Sequence, residues 1–143
     1  MIGDRRPARL LVERGKVAEF RAAVGLPDRP DVQVAPPTFP AAIEVFGPAV
    51  ASILSDRGID LGSVLHGTED ISYPEGPLRV GDDLTGEVVL TGVEERPGRS
   101  GPLRIATFLI QLFRPGGEPA VTIRRSLVIL GQADPVGQPS ATP

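Results

Sequence analysis

The second half of the chain is dominated by three long runs in which apolar residues recur at every second position: "LTGEVVLTGVEE" from Leu84, "LRIATFLIQLFR" from Leu103 and "AVTIRRSLVIL" from Ala120. Such runs, rich in Val, Ile, Thr and Phe, read as strands with one face buried. The segments between them, "RPGRSGP" and "PGGEP", are hairpin loops by composition. Three consecutive antiparallel strands are therefore predicted, with "SVLHGTEDISY", residues 63–73, as a fourth before them. Their apolar face has to be covered by something else in the same chain.

Two upstream segments could cover it. In "LVERGKVAEFRAAVG", Val17, Phe20, Ala23 and Val24 fall at helical spacing, and Gly25 with Pro27 supplies the stop. In "GPAVASILSDRGID", Pro48 suits a first turn, Val50, Ile53 and Leu54 form a stripe, and Gly58 follows the last turn. This second helix could also begin near Ala42, absorbing Gly47 and Pro48 as a kink. Between the helices lie five prolines, four of them from Pro30 to Pro40, which keep the chain extended or irregular up to about Ala41.

At 143 residues the chain is long enough for one core and short for two. The expected organisation is a flexible, polar N-terminus over 1–9, one α+β domain over 10–130 and a disordered Gly-, Pro- and Ser-rich tail over 131–143. A formal net charge of −3 gives no basic face for nucleic acid or anionic lipid. With no cysteine and a single histidine, disulfides, thiolate chemistry and a protein-held metal are not expected. No apolar run is long enough for a signal h-region or a membrane span, so a cytoplasmic location is expected.

Five stretches occur in an informative order: "VERGKVAEFRAAVG", "APPTFP" at 35–40, "VLHGTEDISY" at 64–73, "PLRVGDDLTGEV" at 77–88 and "RPGGEPAVTIRRSLVI" near the end. Together they resemble the N-terminal MaoC-like, or FAS1-like, dehydratase domain family, which includes the non-catalytic subunits of mycobacterial (3R)-hydroxyacyl-ACP dehydratases. The resemblance covers roughly residues 10–130. It implies a hot-dog fold, a long antiparallel sheet wrapped around a central helix.

Catalytic members of the wider family carry an Asp and a His about five residues apart at the entrance to that helix. The matching region here, "APPTFPAAIEVFG", has neither. The resemblance therefore implies an accessory subunit that lines an acyl channel, while a MaoC-type partner supplies the dyad. It also implies a substrate carried on CoA or ACP phosphopantetheine and no cofactor of the chain's own. Only "LPDRPDVQV", residues 26–34, separates the first helix from "APPTFP", where the family subunits have a longer aromatic segment, so their substrate entrance does not transfer residue by residue.

Dehydrating a 3-hydroxyacyl thioester needs a base, an acid and donors for the thioester oxygen. His66 is the one candidate base near neutral pH. A lone histidine reads first as a hydrogen-bonded residue at a strand start, where Gly67 permits a bulge or close backbone approach, ahead of a catalytic role or a contact for a pantetheine arm or a partner's active site. The candidate substrate-binding residues are Pro37, Thr38, Phe39, His66, Gly67 and Tyr73, with Thr38 and Phe39 either at the lip of a tunnel or, for Phe39, in the core. Asp82 and Asp83 read as turn residues before a strand rather than as acid and base. Whichever of Glu69 and Asp70 faces inward needs a cation such as Arg79 or Arg104. Arg124 and Arg125 could belong to a partner-facing or solvated surface, and an edge-to-edge partner, identical or not, is expected. Two rivals to the accessory role stand beside it: a homodimeric hydratase or thioesterase using His66, and a non-enzymatic acyl-binding dimer.

Overall fold

The structure, a computed structural model, describes residues 2–43 and 48–131. Five strands form one antiparallel sheet: β1 (Arg5–Leu11), β2 (Val64–Ser72), β3 (Asp83–Gly98), β4 (Gly101–Phe113) and β5 (Pro119–Leu130), in the order β1-β3-β4-β5-β2. Among the described residues two α-helices accompany them, α1 (Arg14–Ala23) and α2 (Ala49–Asp56). The predicted strands are all present, and the strict alternation of β4 and β5 explains why. Ala106, Phe108, Ile110 and Leu112 of β4 and Val121, Ile123, Leu127 and Ile129 of β5 are buried on one face. Removing a side chain of the Leu, Ile or Phe size from water contributes roughly 1.5–3 kcal/mol, so these rows dominate the fold.

Helix α2 lies on that face, with Val50, Ile53 and Leu54 at most 3% exposed, as its stripe requires. Arg57 and the positive-φ Gly58 close it, the Gly58 N–H reaching the Ser55 carbonyl at 2.9 Å. Whether the helix begins nearer Ala42 involves residues 44–47, which lie outside the described residues. Helix α1 ends as the sequence demands. Gly25 takes φ +79, its N–H meets the Ala22 carbonyl and the Leu26 N–H meets the Arg21 carbonyl, the paired bonds of a glycine-closed C-terminus. Of its expected stripe, Val17 is buried and Phe20 packs edge-on against Phe39 at 5.7 Å, but Ala23 and Val24 are exposed.

One expectation is corrected. Residues 5–9 are not loose. They belong to β1, which pairs along β3 from Arg5–Val89 to Leu11–Asp83. Leu10 is fully buried, while Arg5 and Arg9 point outward to Glu87 and Asp83. Pro7 is tolerated because β1 is an edge strand. The hairpin predicted at "RPGRSGP" is present and tight: pairing continues to Gly98–Gly101, leaving Arg99 and Ser100 as the turn, with Gly101 at φ +121. The tail predicted over 131–143 lies, beyond Gly131, outside the described residues. The proline-rich segment is irregular as predicted and is pinned by backbone bonds Ala35–Leu78 and Val80–Gln33, both 2.8 Å, before a short 3-10 turn at Phe39–Ala42.

Candidate functional site

The candidate residues lie along the row that begins on the inner face of β2, the last strand of the sheet, and a bulge brings His66 and Glu69 together on it. Residues three apart on a regular strand face opposite ways. Between His66 and Thr68 the register against β5 slips, leaving Gly67 unpaired, so the inward row passes from Val64 and His66 to Glu69, Ile71 and Tyr73. His66 Nε2 therefore meets Glu69 Oε2 at 2.7 Å on the same face. Gly67 is required for the close approach, since a Cβ there would stand 2.8 Å from the Ser126 carbonyl oxygen. The bulge or close approach anticipated at Gly67 is both.

Glu69 pairs in register with Arg125, and their side chains share the inner face. The guanidinium grips the carboxylate with two bonds, Nη2–Oε1 at 2.8 Å and Nε–Oε2 at 3.2 Å. The Arg125 side chain is buried, 5% exposed, and that of Glu69 is nearly so at 11%. Arg125 Nη2 also reaches the Ala41 carbonyl, at 3.5 Å, linking β5 to the turn before α2. This overturns two expectations. The cation for Glu69 is neither Arg79 nor Arg104 but Arg125, and Arg125 is not on an outward surface with Arg124. Alternation along β5 sends the two arginines to opposite faces, and Arg124 stands outside, across from Asp70.

At the other end of the row, the Tyr73 hydroxyl donates to the Pro37 carbonyl. Pro37 and Thr38 are exposed beside it, whereas Phe39 is 1% exposed and packs into the core. Thus β2 and the 37–41 segment, the two sequence-nominated regions, face one another. Burial pushes the Tyr73 phenol from 10.0 up to about 12. Between those values the folded protein keeps a proton that the unfolded chain releases, so the stability Tyr73 contributes is intact below pH 10 and is lost as pH rises to about 12. Tyr73 is the only tyrosine and tryptophan is absent, so near-ultraviolet absorbance follows this one group. A midpoint near 12 is expected, and a midpoint near 10 would show that the Tyr73 phenol is not buried.

Asp82 and Asp83 behave as turn residues. Asp82 accepts from the Arg79 N–H at 2.9 Å and from Arg114 at 3.1 Å. Asp83 accepts from Arg9, whose hydrogen bond holds the carboxyl below the usual carboxylate range. Two recesses flank α2. A groove of about 310 Å³ is lined by Val50, Ala51, Leu54, Leu61, Val64 and Leu127, with His66 and Arg125 as its polar members. A cleft of about 400 Å³ lies at the far end of the helix, over Leu54, Ile59, Leu90, Ala106 and Ile129, with Arg57, Glu95 and Arg104 among its lining. No group of three or more metal-ligating side chains and no helix long and apolar enough to cross a membrane occurs among the described residues.

A helix held against a five-stranded antiparallel sheet, with polar side chains gathered at the sheet's last strand, defines a hot-dog protein. Residues 1–123 match the model of the FAS1-like, dehydratase domain region family, and the chain belongs to that family. It is 31% identical to a UPF0336 protein of Leifsonia xyli, over 85% of this chain and 86% of that one. Among solved structures it is similar to a subunit of the C-terminally truncated HadBC (3R-hydroxyacyl-ACP dehydratase) complex of Mycobacterium tuberculosis, with TM-score 0.65, 22% identity, and 89% and 96% of the two chains covered. It is also similar to a chain of the ChsH1-ChsH2 complex of the same organism, with TM-score 0.59, 20% identity, and 98% and 88% covered. These structural likenesses establish the hot-dog fold.

Proposed function

We propose that this chain is the accessory, substrate-channel subunit of a heteromeric (3R)-3-hydroxyacyl-thioester dehydratase or enoyl hydratase, acting on ACP- or CoA-linked acyl chains in fatty-acid or polyketide metabolism. One observation carries the reading: a chain of the dehydratase family has no Asp and no His from Ala35 to Gly47, the stretch leading into the central helix where the family's dyad belongs. The base and acid would come from a MaoC-type hot-dog partner. The open position of β2 at the end of the sheet supports such a partner, because an uncovered strand edge is a template for another chain. The apolar recesses on either side of α2 suit an acyl chain, and the thioester arrives on phosphopantetheine with no cofactor bound to this chain. Pro37, Thr38, Gly67 and Tyr73 would border the channel; buried Phe39 would support it from behind.

The test is hydration of crotonyl-CoA by the purified chain alone and with a dyad-bearing hot-dog subunit. The proposal expects the chain alone to be inert and the mixture to exceed the partner alone by at least tenfold. The His66–Glu69 contact favours a second reading, a homodimeric hydratase or thioesterase. Turnover by the chain alone that His66→Ala abolishes would establish it instead.

A further inference from the structure

The two recesses that flank α2 stand back to back and share Leu54, which lines both the groove beside His66 and the cleft at the far end of the helix. The sheet beneath repeats the adjacency. Val64 of the groove pairs in register with Ile129 of the cleft, and Leu127 of the groove pairs in register with Ala106 of the cleft. Opposed residues on neighbouring antiparallel strands lie roughly 4.5–5.5 Å apart, so the two recesses are about one side chain from meeting. Leu54, 2% exposed on the helix above these pairs, stands at that boundary. The groove opens broadly to solvent, whereas the cleft is the more enclosed of the two and is mainly apolar.

We infer that Leu54 sets the length of acyl chain this subunit accepts: it closes the inner end of the groove, and without its side chain groove and cleft form one channel for a longer chain. The inference rests on the acyl-thioester reading above. The open groove alone discriminates little by length, because a methylene that stays wet gains little from it. A methylene taken out of water in the cleft gains roughly fourfold in affinity. Length preference is therefore decided by whether the chain passes Leu54.

The probes are butyryl-CoA and dodecanoyl-CoA, the latter below its micelle concentration, titrated into the full chain by calorimetry. In Leu54→Ala the preference for the dodecanoyl over the butyryl thioester should rise at least tenfold above that of wild type, the worth of about two buried methylenes. Leu54→Met keeps the volume of the core on an unbranched side chain that bends aside, so it folds where the alanine variant does not and should show the same change at about threefold. Val93, half-exposed on the wall of the cleft, supplies the control. Val93→Trp fills the cleft, so it should cancel the gain in either Leu54 variant and leave the wild-type preference unchanged. An unaltered preference in both Leu54 variants, a gain that survives Val93→Trp, or a wild-type preference that falls with Val93→Trp alone would each overturn the inference. If neither thioester binds any form, the inference fails while the subunit reading is still judged by its own mixing assay. The expected length profile in a chain that adds nothing to a dyad-bearing partner would instead uphold Leu54 and strike the subunit reading.

Discussion

Arg125→Met is expected to destabilise the protein by about 3–5 kcal/mol, because it leaves Glu69 as a buried carboxylate without its guanidinium. In a domain of this size that lowers the melting temperature by roughly 10 °C or more. The pair itself is a different quantity from the loss of one member. Desolvating two charges offsets much of their attraction, so Arg125→Met combined with Glu69→Leu should recover most of the loss. Thermal or denaturant unfolding of the single and double variants checks this. A single variant as stable as wild type would mean that Glu69 does not sit in the interior.

Gly86→Ala should be at least as damaging, on the order of 4 kcal/mol or a failure to fold. Gly86 lies in β3 between Ala8 and Leu112, and an added Cβ would overlap the Gln111 carbonyl oxygen and lie 2.9 Å from its carbon. Both atoms are backbone of β4, so relief requires the two central strands to separate. Gly92→Ala is the matched control in the same strand: nothing lies within 4 Å of its added Cβ, and a change within about 1 kcal/mol is expected. Comparing denaturation midpoints of the two variants settles the register of β3 on β4. Similar losses at both positions would contradict it.

The sheet was legible because β4 and β5 alternate with few breaks, and α2 because Val50, Ile53 and Leu54 stand between clear start and stop residues. β1 was not, since "RRPARLL" shows mostly charge and a proline; its inward row is Arg6, which reaches Ser52 and Asp56 of α2, with Ala8 and Leu10, and an edge strand needs no more apolar residues than these two. The site was half legible. His66, Gly67, Pro37 and Tyr73 could be nominated from local chemistry and from resemblance. Arg125 could have been too, for it shares the parity of Val121, Ile123, Leu127 and Ile129 in "AVTIRRSLVIL", which places a charge among inward residues. Its partner could not, because the Glu69–Arg125 pairing depends on β2 lying beside β5 rather than beside β3. The 2.7 Å meeting of His66 with Glu69 depends further on the one-residue slip at Gly67, which turns an i, i+3 pair onto one face.

The central claim is that the acid–base chemistry of dehydration resides in a partner's dyad and that the inner face of β2 only shapes and orients the substrate. Crossing two changes tests it most directly: crotonyl-CoA hydration by this chain mixed with a dyad-bearing hot-dog subunit, with His66→Ala in one mixture and the partner's dyad His replaced by Ala in the other. The account predicts that the partner substitution abolishes turnover, while His66→Ala leaves most of kcat. Full activity with the partner's dyad removed, and none without His66, would contradict it and move the chemistry onto this chain.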